Sequence, residues 1–513
     1  MTIESYYEDG QVTLLHATCE DALPTIPDNS IDAVICDPPY NLPGGFMGAA
    51  WDNIGAGKAF QAWCETWARE CLRALKPGGH LLAFGSPRTY HRLAAGIEDA
   101  GFEIRDSIHW IYGGGFPKGQ DIGKHIDKQR ADRPDVLRVT AWLSAARIAA
   151  GWTIRQIDDL FGFNGMASHW CATENKAAAA PTLEQWVKLR DAMGFDDTEI
   201  LPAVEYLNGR KGQIGEAYQQ REVLADNPRA TRKPEHLYGE FSGDGRVTLP
   251  ASDAARNWDG WNTQLKPAHE PIIVARKSTG YNTTVANVLE HGTGALNINA
   301  CRIEVRDNAY ARNAAGDRGH EDNRSREMDF RQTAGHANDL GRWPTNVAFA
   351  HDERCAQACA PGCPVSELDA QSGVLTSGAN PTRRAAPKFG HAYGEFEGDR
   401  DCAAARGSDS GSASRFFPAF RYQAKAPQGE RPKLADGTQW PTVKPLDLMR
   451  WLVRLVTPPG GMILDPFCGT GPTGEAAIVE GFRCILIEQD PVAAELVKVR
   501  LSKPLQPSLF GEA

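Results

Sequence analysis

The sequence predicts an α/β fold built on a mostly parallel sheet, and two stretches carry that expectation. Ile31-Asp32-Ala33-Val34-Ile35-Cys36 is an apolar run short enough for a buried strand, and it ends abruptly in Asp37-Pro38-Pro39-Tyr40, so its carboxyl end opens into a rigid turn. Far along the chain, Met462-Ile463-Leu464-Asp465 runs into Pro466-Phe467-Cys468-Gly469-Thr470-Gly471, a strand, a glycine-rich turn and the start of a helix. Ligands of such folds bind outside the carboxyl ends of the strands. Both turns are therefore candidate functional loops.

In chain order, Gln11 to Ala17 reads as a first strand, and a turn through Pro27-Asp28-Asn29-Ser30 leads into the Ile31 strand. Lys58 to Leu75 is amphipathic, with Phe60, Trp63, Trp67, Cys71 and Leu75 at helical spacing, and Lys76-Pro77-Gly78-Gly79 is expected to end that helix. A strand over His80 to Gly85, a helix over Arg88 to Ala100 and a strand over Phe102 to Ile111 continue the alternation of a parallel sheet.

The pattern then turns helical from Arg130 to about Leu207, as in a small inserted bundle. Leu137, Ala141, Ala145 and Ile148 are expected to share its buried face, and Thr153-Ile154-Arg155-Gln156 and Thr182-Leu183-Glu184-Gln185 read as capping boxes. A short helix, a Gly turn at Phe161 to Gly165 and a second short helix resemble the helix-turn-helix of repressor-like domains. From Gly239 to Asp436 the chain is rich in Gly, Ser, Asn, Asp and Arg, with strand-like islands at Lys266 to Ala275 and Trp343 to Phe349. Arg302, Arg306, Arg312, Arg318, Arg324, Arg326 and Arg331, then Arg383, Arg384, Lys388, Arg415, Arg421, Lys425, Arg431 and Lys433, are interleaved with acids or aromatics. Basic residues among aromatics suit a phosphate-tracking surface. The expected division is a first half-domain at 1–128, a helical insert at 129–236, a loop-rich region at 237–435 with one returning core strand (266–276), and a second half-domain at 436–513.

Composition sets the class. The chain has 513 residues, 42% hydrophobic and 23% charged, with net charge −10. It has no run of about 18 apolar residues, and its first residues lack a signal-peptide pattern, so the expectation is a cytoplasmic protein with no membrane contact. The 12 cysteines are read as thiols rather than disulfides. His351, Cys355, Cys359 and Cys363 recur at four-residue intervals. Zinc ligands more often pair as C-x₂-C, and Pro361 rules out one continuous helix. The segment is read as a Cys-rich turn, with no metal assigned.

The chemistry suited to Asp37-Pro38-Pro39-Tyr40 is methylation of an amino group conjugated to an aromatic base. Such a nitrogen is planar and weakly nucleophilic, and it improves when acceptors draw its hydrogens out of the ring plane. The Asp37 carboxylate and the Pro38 carbonyl can supply those acceptors, the prolines fix φ, and Tyr40 offers a stacking face. At the second turn Asp465 would repel a pyrophosphate and no P-loop lysine follows, so a cation such as S-adenosylmethionine is the better guest. Glu488, at the end of the next strand, stands where ribose hydroxyls are expected, and Asp21 is a further candidate.

Asp37-Pro38-Pro39-Tyr40 first, a long middle region, and Phe467-Cys468-Gly469-Thr470-Gly471 last is an order that resembles the DNA amino-methyltransferases of the β arrangement, including phage-borne and prophage members. Thr442-Val443-Lys444-Pro445 is similar to that family's helix-entry segment, although Trp440 replaces its usual His. The resemblance implies a circularly permuted Rossmann-like sheet and S-adenosylmethionine as cofactor. Asp37, Pro38, Pro39 and Tyr40 would be catalytic, and Asp21, Lys444, Asp465, Phe467, Gly469, Thr470, Gly471 and Glu488 would bind the cofactor. Double-stranded DNA would be the substrate, entered by base flipping, with the acid form of the turn favouring adenine N6 over cytosine N4. The rival readings are methylation of RNA bases or of a protein glutamine, whose families usually place the glycine turn before the catalytic turn, and a DNA-binding regulator with an idle methyltransferase fold. Homodimerisation and a cognate nuclease stay open.

Overall fold

The computed structural model describes residues 3–42, 45, 50–113, 119–174, 178–226, 246–303, 341–352, 355, 358–376, 410–420, 431–440 and 443–502. The chain divides into two compact units, one of Met1–Phe116 with Pro267–Ala513 and one of Pro117–Lys266. Of the interleaved basic residues, Arg306 to Arg331, Arg383, Arg384, Lys388, Arg421 and Lys425 lie outside the described residues, as does Thr442.

The first unit carries a ten-stranded sheet. Its strands are β1 (Tyr7–Glu8), β2 (Val12–His16), β3 (Ile31–Cys36), β4 (Leu75–Phe84), β5 (Glu103–Ile111), β6 (His269–Arg276), β7 (Val347–Ala350), β8 (Ala419–Phe420), β9 (Met462–Asp465) and β10 (Arg483–Glu488). Across the sheet they run β1-β2-β10-β9-β3-β4-β6-β5-β7-β8. The last two strands of the chain thus lie between β2 and β3, all of them parallel. β6 is antiparallel to both of its neighbours.

β3 reads as a nearly continuous apolar run because both its faces are covered. Ala33 and Ile35 pack with Leu82, Phe84 and the helix Leu446–Val456. Val34 and Cys36 pack on the other face with Leu81, Ala83 and the helix Gly57–Ala74. One acid interrupts the run: Asp32 is 3% exposed, and its carboxylate accepts from Lys76 Nζ at 2.6 Å and from the Met462 backbone N–H at 2.7 Å. A buried carboxylate is tolerated because it is paired, and this one fastens β3 to β4 and to β9.

Two expectations need correction. Lys76-Pro77-Gly78-Gly79 does not separate helix from strand, since β4 starts at Leu75 and runs through it. The register slips between Ile31 and Ala33. Gly78 takes φ +79° with Asn287 against it, and the Pro77 carbonyl accepts from Asn287 Nδ2 and Thr293 Oγ1. The insert's first helix, Arg133–Ala149, buries Val136, Val139, Thr140 and Leu143, whereas Ile148 is 65% exposed. The stripe one position away carries the bulkier Val and Leu side chains, and two alanines on the expected face contribute little apolar area.

The second unit begins before and ends after the 129–236 expected from the helical pattern. The reason is Asp127 on the helix Ile122–Lys128. Its carboxylate accepts from Arg221 Nη1 at 2.5 Å, from the backbone N–H of Ala251 and Ser252, and from the Ser252 hydroxyl. That cluster gathers three distant pieces of chain. Both capping boxes form. Asp158 accepts from the backbone N–H of Gly165 and Ala167, joining the helix Ile154–Phe161 to the five-residue helix Met166–Trp170. No described helix in either unit is long and apolar enough to cross a membrane.

Candidate active site

β3 and β9 are parallel neighbours, with Val34 opposite Leu464 and Ala33 opposite Ile463. The Asp37 turn and the Phe467 turn therefore leave the same edge of the sheet, side by side. This is the junction that the two separated motifs require.

The Asp37 turn is held from several directions. Asn41 adopts a left-handed φ of 53°, and the N–H groups of Asn41 and Leu42 donate to the buried Asp52 carboxylate at 2.7 and 3.3 Å. The Tyr40 carbonyl accepts from Thr89 Oγ1 at 2.7 Å. Pro38 is buried, and Asp37, Pro39 and Tyr40 are half-buried.

Lys444 sits at the centre of the turn. Its ammonium donates to Asp37 Oδ2 at 2.8 Å, to Glu270 Oε2 at 3.0 Å and to the Tyr40 hydroxyl at 2.9 Å, and it lies 4.7 Å from the Phe84 ring centroid. Burial works against its charge, but the carboxylates of Asp37 and Glu270 outweigh that and raise its pKa. Burial, with those same carboxylates beside it, pushes the Tyr40 phenol well up, so it stays protonated and donates to Glu270 at 3.1 Å. The network occupies Asp37 Oδ2 and leaves Oδ1 shielded from solvent with no hydrogen-bond partner among the described residues. Lys444, placed on the cofactor side by resemblance, contacts the Asp37 turn.

The second turn is organised by its own acids. Asp465 accepts from the Phe467 backbone N–H at 3.0 Å and from Thr473 Oγ1 at 2.5 Å. Glu488 accepts from the N–H groups of Gly469 and Asp490, both at 2.8 Å. Burial raises each acid to about 7, and for Asp465 the charges of Asp37 and Glu488 add to it. Gly469 and Gly471 have φ +54° and +75°, and a Cβ on Gly471 would meet Val497 at 3.0 Å. Glycine is required there by conformation. Phe467 packs on Trp63 and Trp67, with ring centroids 5.7 and 5.3 Å away. Thr470 is buried, and its hydroxyl has no partner among the described residues. Asp21 is exposed and pairs with Thr18 within the helical turn Cys19–Ala22, an arrangement that caps a helix.

Glu270 is the residue that sequence reasoning missed. It stood in a segment recognised only as a returning strand, and its one signal was an acid between His269 and Pro271 at a strand start. Its role depends on β6 folding back antiparallel beside β4.

These residues fit a cationic cofactor. Three carboxylates converge at one sheet edge, two of them are raised by burial to about 7, and the Thr470 hydroxyl has no donor or acceptor opposite it among the described residues.

Residues 31–130 and 248–499 match the family of N6 and N4 DNA methylases. The chain belongs to that family. Among curated relatives, the type II methyltransferase M.HinfI of Haemophilus influenzae is 30% identical over 110 residues, 19% of this chain and 31% of the relative. The type II methyltransferase M2.LlaDCHI of Lactococcus lactis subsp. cremoris is 29% identical over 116 residues, 20% of this chain and 43% of the relative. The chain thus spans less than half the length of these relatives. Among solved structures, the cytosine-N4-specific PvuII DNA methyltransferase aligns with TM-score 0.36 and 11% identity over 97% of this chain and 89% of that one. The M1.HpyAVI complex with SAM aligns with TM-score 0.33 and 11% identity over 96% and 100%.

Proposed function

We propose that the protein is a site-specific DNA methyltransferase that moves a methyl group from S-adenosylmethionine to the exocyclic N6 of adenine in duplex DNA. The observation that carries the reading is Asp37: one carboxylate oxygen is fixed by Lys444, the other is without a donor among the described residues, and its strand end adjoins the glycine turn of β9.

A flipped adenine presents an amine with two hydrogens. Asp37 Oδ1 accepts one and the Pro38 carbonyl accepts the other, which turns the nitrogen lone pair out of conjugation and toward the glycine turn. Holding the two reactants in line removes most of the entropic part of the barrier. Lys444 and Glu270 are positioning residues. Lys444 fixes which oxygen of Asp37 faces the amine, and Glu270 balances the charge of Lys444 and accepts from the Tyr40 hydroxyl, which sets the ring that the base meets. When bound, S-adenosylmethionine supplies an electrophilic methyl on a positive sulfur; Asp465, Phe467, Gly469, Thr470, Gly471 and Glu488 are the residues proposed to hold it. The proton lost from the nitrogen on methylation passes to Asp37 Oδ1, the carboxylate oxygen assigned to accept one of the amine hydrogens. Duplex contacts are assigned to the helical unit and to the basic segments of the middle region, which together offset the few kcal/mol needed to extrude a base.

The test is tritium transfer from labelled S-adenosylmethionine to duplex DNA, RNA and protein in parallel. Label in DNA alone, lost in Asp37→Ala with cofactor binding retained, supports the reading. Label in RNA or protein, or an active Asp37→Ala, overturns it. Absence of transfer with DNA bound tightly would favour the regulator.

A further inference from the structure

The Cys-rich segment does what its spacing did not suggest. His351, Cys355, Cys359 and Cys363 bring one ligand atom each to within 4.8 Å of one another. We infer that these four residues form a structural zinc site, separate from the active site and independent of the methyltransferase reading.

The geometry is that of a tetrahedron close to assembled. Zinc bound at about 2.3 Å to sulfur and about 2.0–2.1 Å to nitrogen sets S···N edges near 3.5 Å and S···S edges near 3.8 Å. Cys359 Sγ and Cys363 Sγ lie 3.4 and 3.6 Å from His351 Nδ1, so two of the three imidazole edges already match. The remaining edges are no longer than 4.8 Å, so closing them needs a contraction of about 1 Å at most. All three cysteines are free thiols, and three sulfurs cannot all be satisfied by disulfides among themselves.

Backbone donors are aimed at two of the three sulfurs. The Ala360 N–H donates to Cys355 Sγ at 3.1 Å and the Asp352 N–H to Cys363 Sγ at 3.5 Å, contacts that favour thiolate over thiol. Cys363 is also the N-cap of the nine-residue helix Pro364–Ser372, where a negative sulfur meets the positive end of the helix dipole. Pro361 excludes one continuous helix through the ligands, yet the ligands do not come from one. His351 follows β7, and its backbone N–H is pinned to the Phe420 carbonyl of β8 at 2.9 Å. Cys359 and Cys363 flank the Pro361-Gly362 turn, with Gly362 at φ +78°.

Four protein ligands close the coordination shell, which marks a structural rather than a catalytic ion. Binding Zn²⁺ forms three Zn–S bonds and one Zn–N bond and releases one proton from each thiol that was protonated. The ion would staple the end of β7 to the start of the helix at the edge of the sheet.

The full chain, purified without a histidine tag, is assayed for metal by mass spectrometry and exchanged with Co²⁺. The expected results are about one zinc per chain and the strong visible absorption of tetrahedral thiolate-bound cobalt. Cys355→Ser and Cys359→Ser are expected to lose most of the zinc. Wild-type protein with less than about 0.1 zinc per chain and no cobalt spectrum, or zinc content unchanged in both serine variants, overturns the site. The cobalt spectrum is read on the wild-type chain, so the test stands even where a variant folds poorly.

Discussion

Asp37→Asn tests the orientation argument at the active site. Lys444 can only donate, and it reaches Asp37 Oδ2 at 2.8 Å. After the substitution the amide must turn its oxygen to Lys444, which aims its NH₂ along the former Oδ1 direction, at the hydrogens of the substrate amine. The variant loses a hydrogen bond to a charged acceptor, about 1.5–3 kcal/mol, and gains a donor facing a donor, about 1–3 kcal/mol. Together these predict a fall in kcat of about 10²–10⁴ at roughly 1.4 kcal/mol per tenfold. Single-turnover tritium transfer measures kcat, and equilibrium dialysis should show the cofactor Kd within about threefold of wild type. Adding Lys444→Met frees the amide to turn its oxygen inward, so the double variant should exceed the single one by about tenfold or more. A single variant as active as wild type, or a double variant no better than the single, refutes the claim that Lys444 sets the direction of Asp37.

Cofactor affinity should depend on pH. Asp465 and Glu488 are raised to about 7 by burial, so below that pH they hold protons that a cationic ligand must displace. The Kd for S-adenosylmethionine should weaken by up to about tenfold per unit for each linked proton as pH falls from 7, with proton release visible by calorimetry in buffers of different ionisation heat. A pH-independent Kd would remove both acids from the site. The same shift means that the cofactor-free protein binds more protons folded than unfolded between the ordinary carboxylate range and about 7, so its stability should decline as pH rises through that window, as a denaturant series can check. Gly471→Ala places a Cβ 3.0 Å from Val497 at φ +75° and should cost about 1–2 kcal/mol, read as a lower denaturation midpoint together with weaker cofactor binding. In the second unit, Asp127→Ala leaves Arg221, 2% exposed, without its carboxylate and should destabilise that unit by about 3–5 kcal/mol, read by hydrogen exchange across Pro117–Lys266.

The strands and both turns of the site were legible because their chemistry is local. A strand covered on both faces shows as the apolar run Ile31 to Cys36, and turns needing Pro-Pro or positive φ show as Asp37-Pro38-Pro39-Tyr40 and Phe467-Cys468-Gly469-Thr470-Gly471. What escaped was set by tertiary contact. Glu270 gains its meaning from a strand that returns antiparallel. Lys444 sat in a recognised motif, but its contact with Asp37 comes from a distant stretch of chain. The insert's buried stripe was misread by one position because two alanines gave a helical period with little area to bury. The clustering of His351, Cys355, Cys359 and Cys363 was not legible in their four-residue spacing, because it depends on a strand end meeting a turn.

The central claim is that the two turns serve one transfer, from a sulfonium methyl to an exocyclic amine of DNA. Nucleoside mass spectrometry of DNA incubated with the purified chain and labelled S-adenosylmethionine tests it most directly. The account predicts label in N6-methyladenine, confined to one sequence context. Label in N4-methylcytosine would contradict the assignment of the base, and unlabelled DNA from protein that binds both cofactor and duplex would contradict the transfer itself.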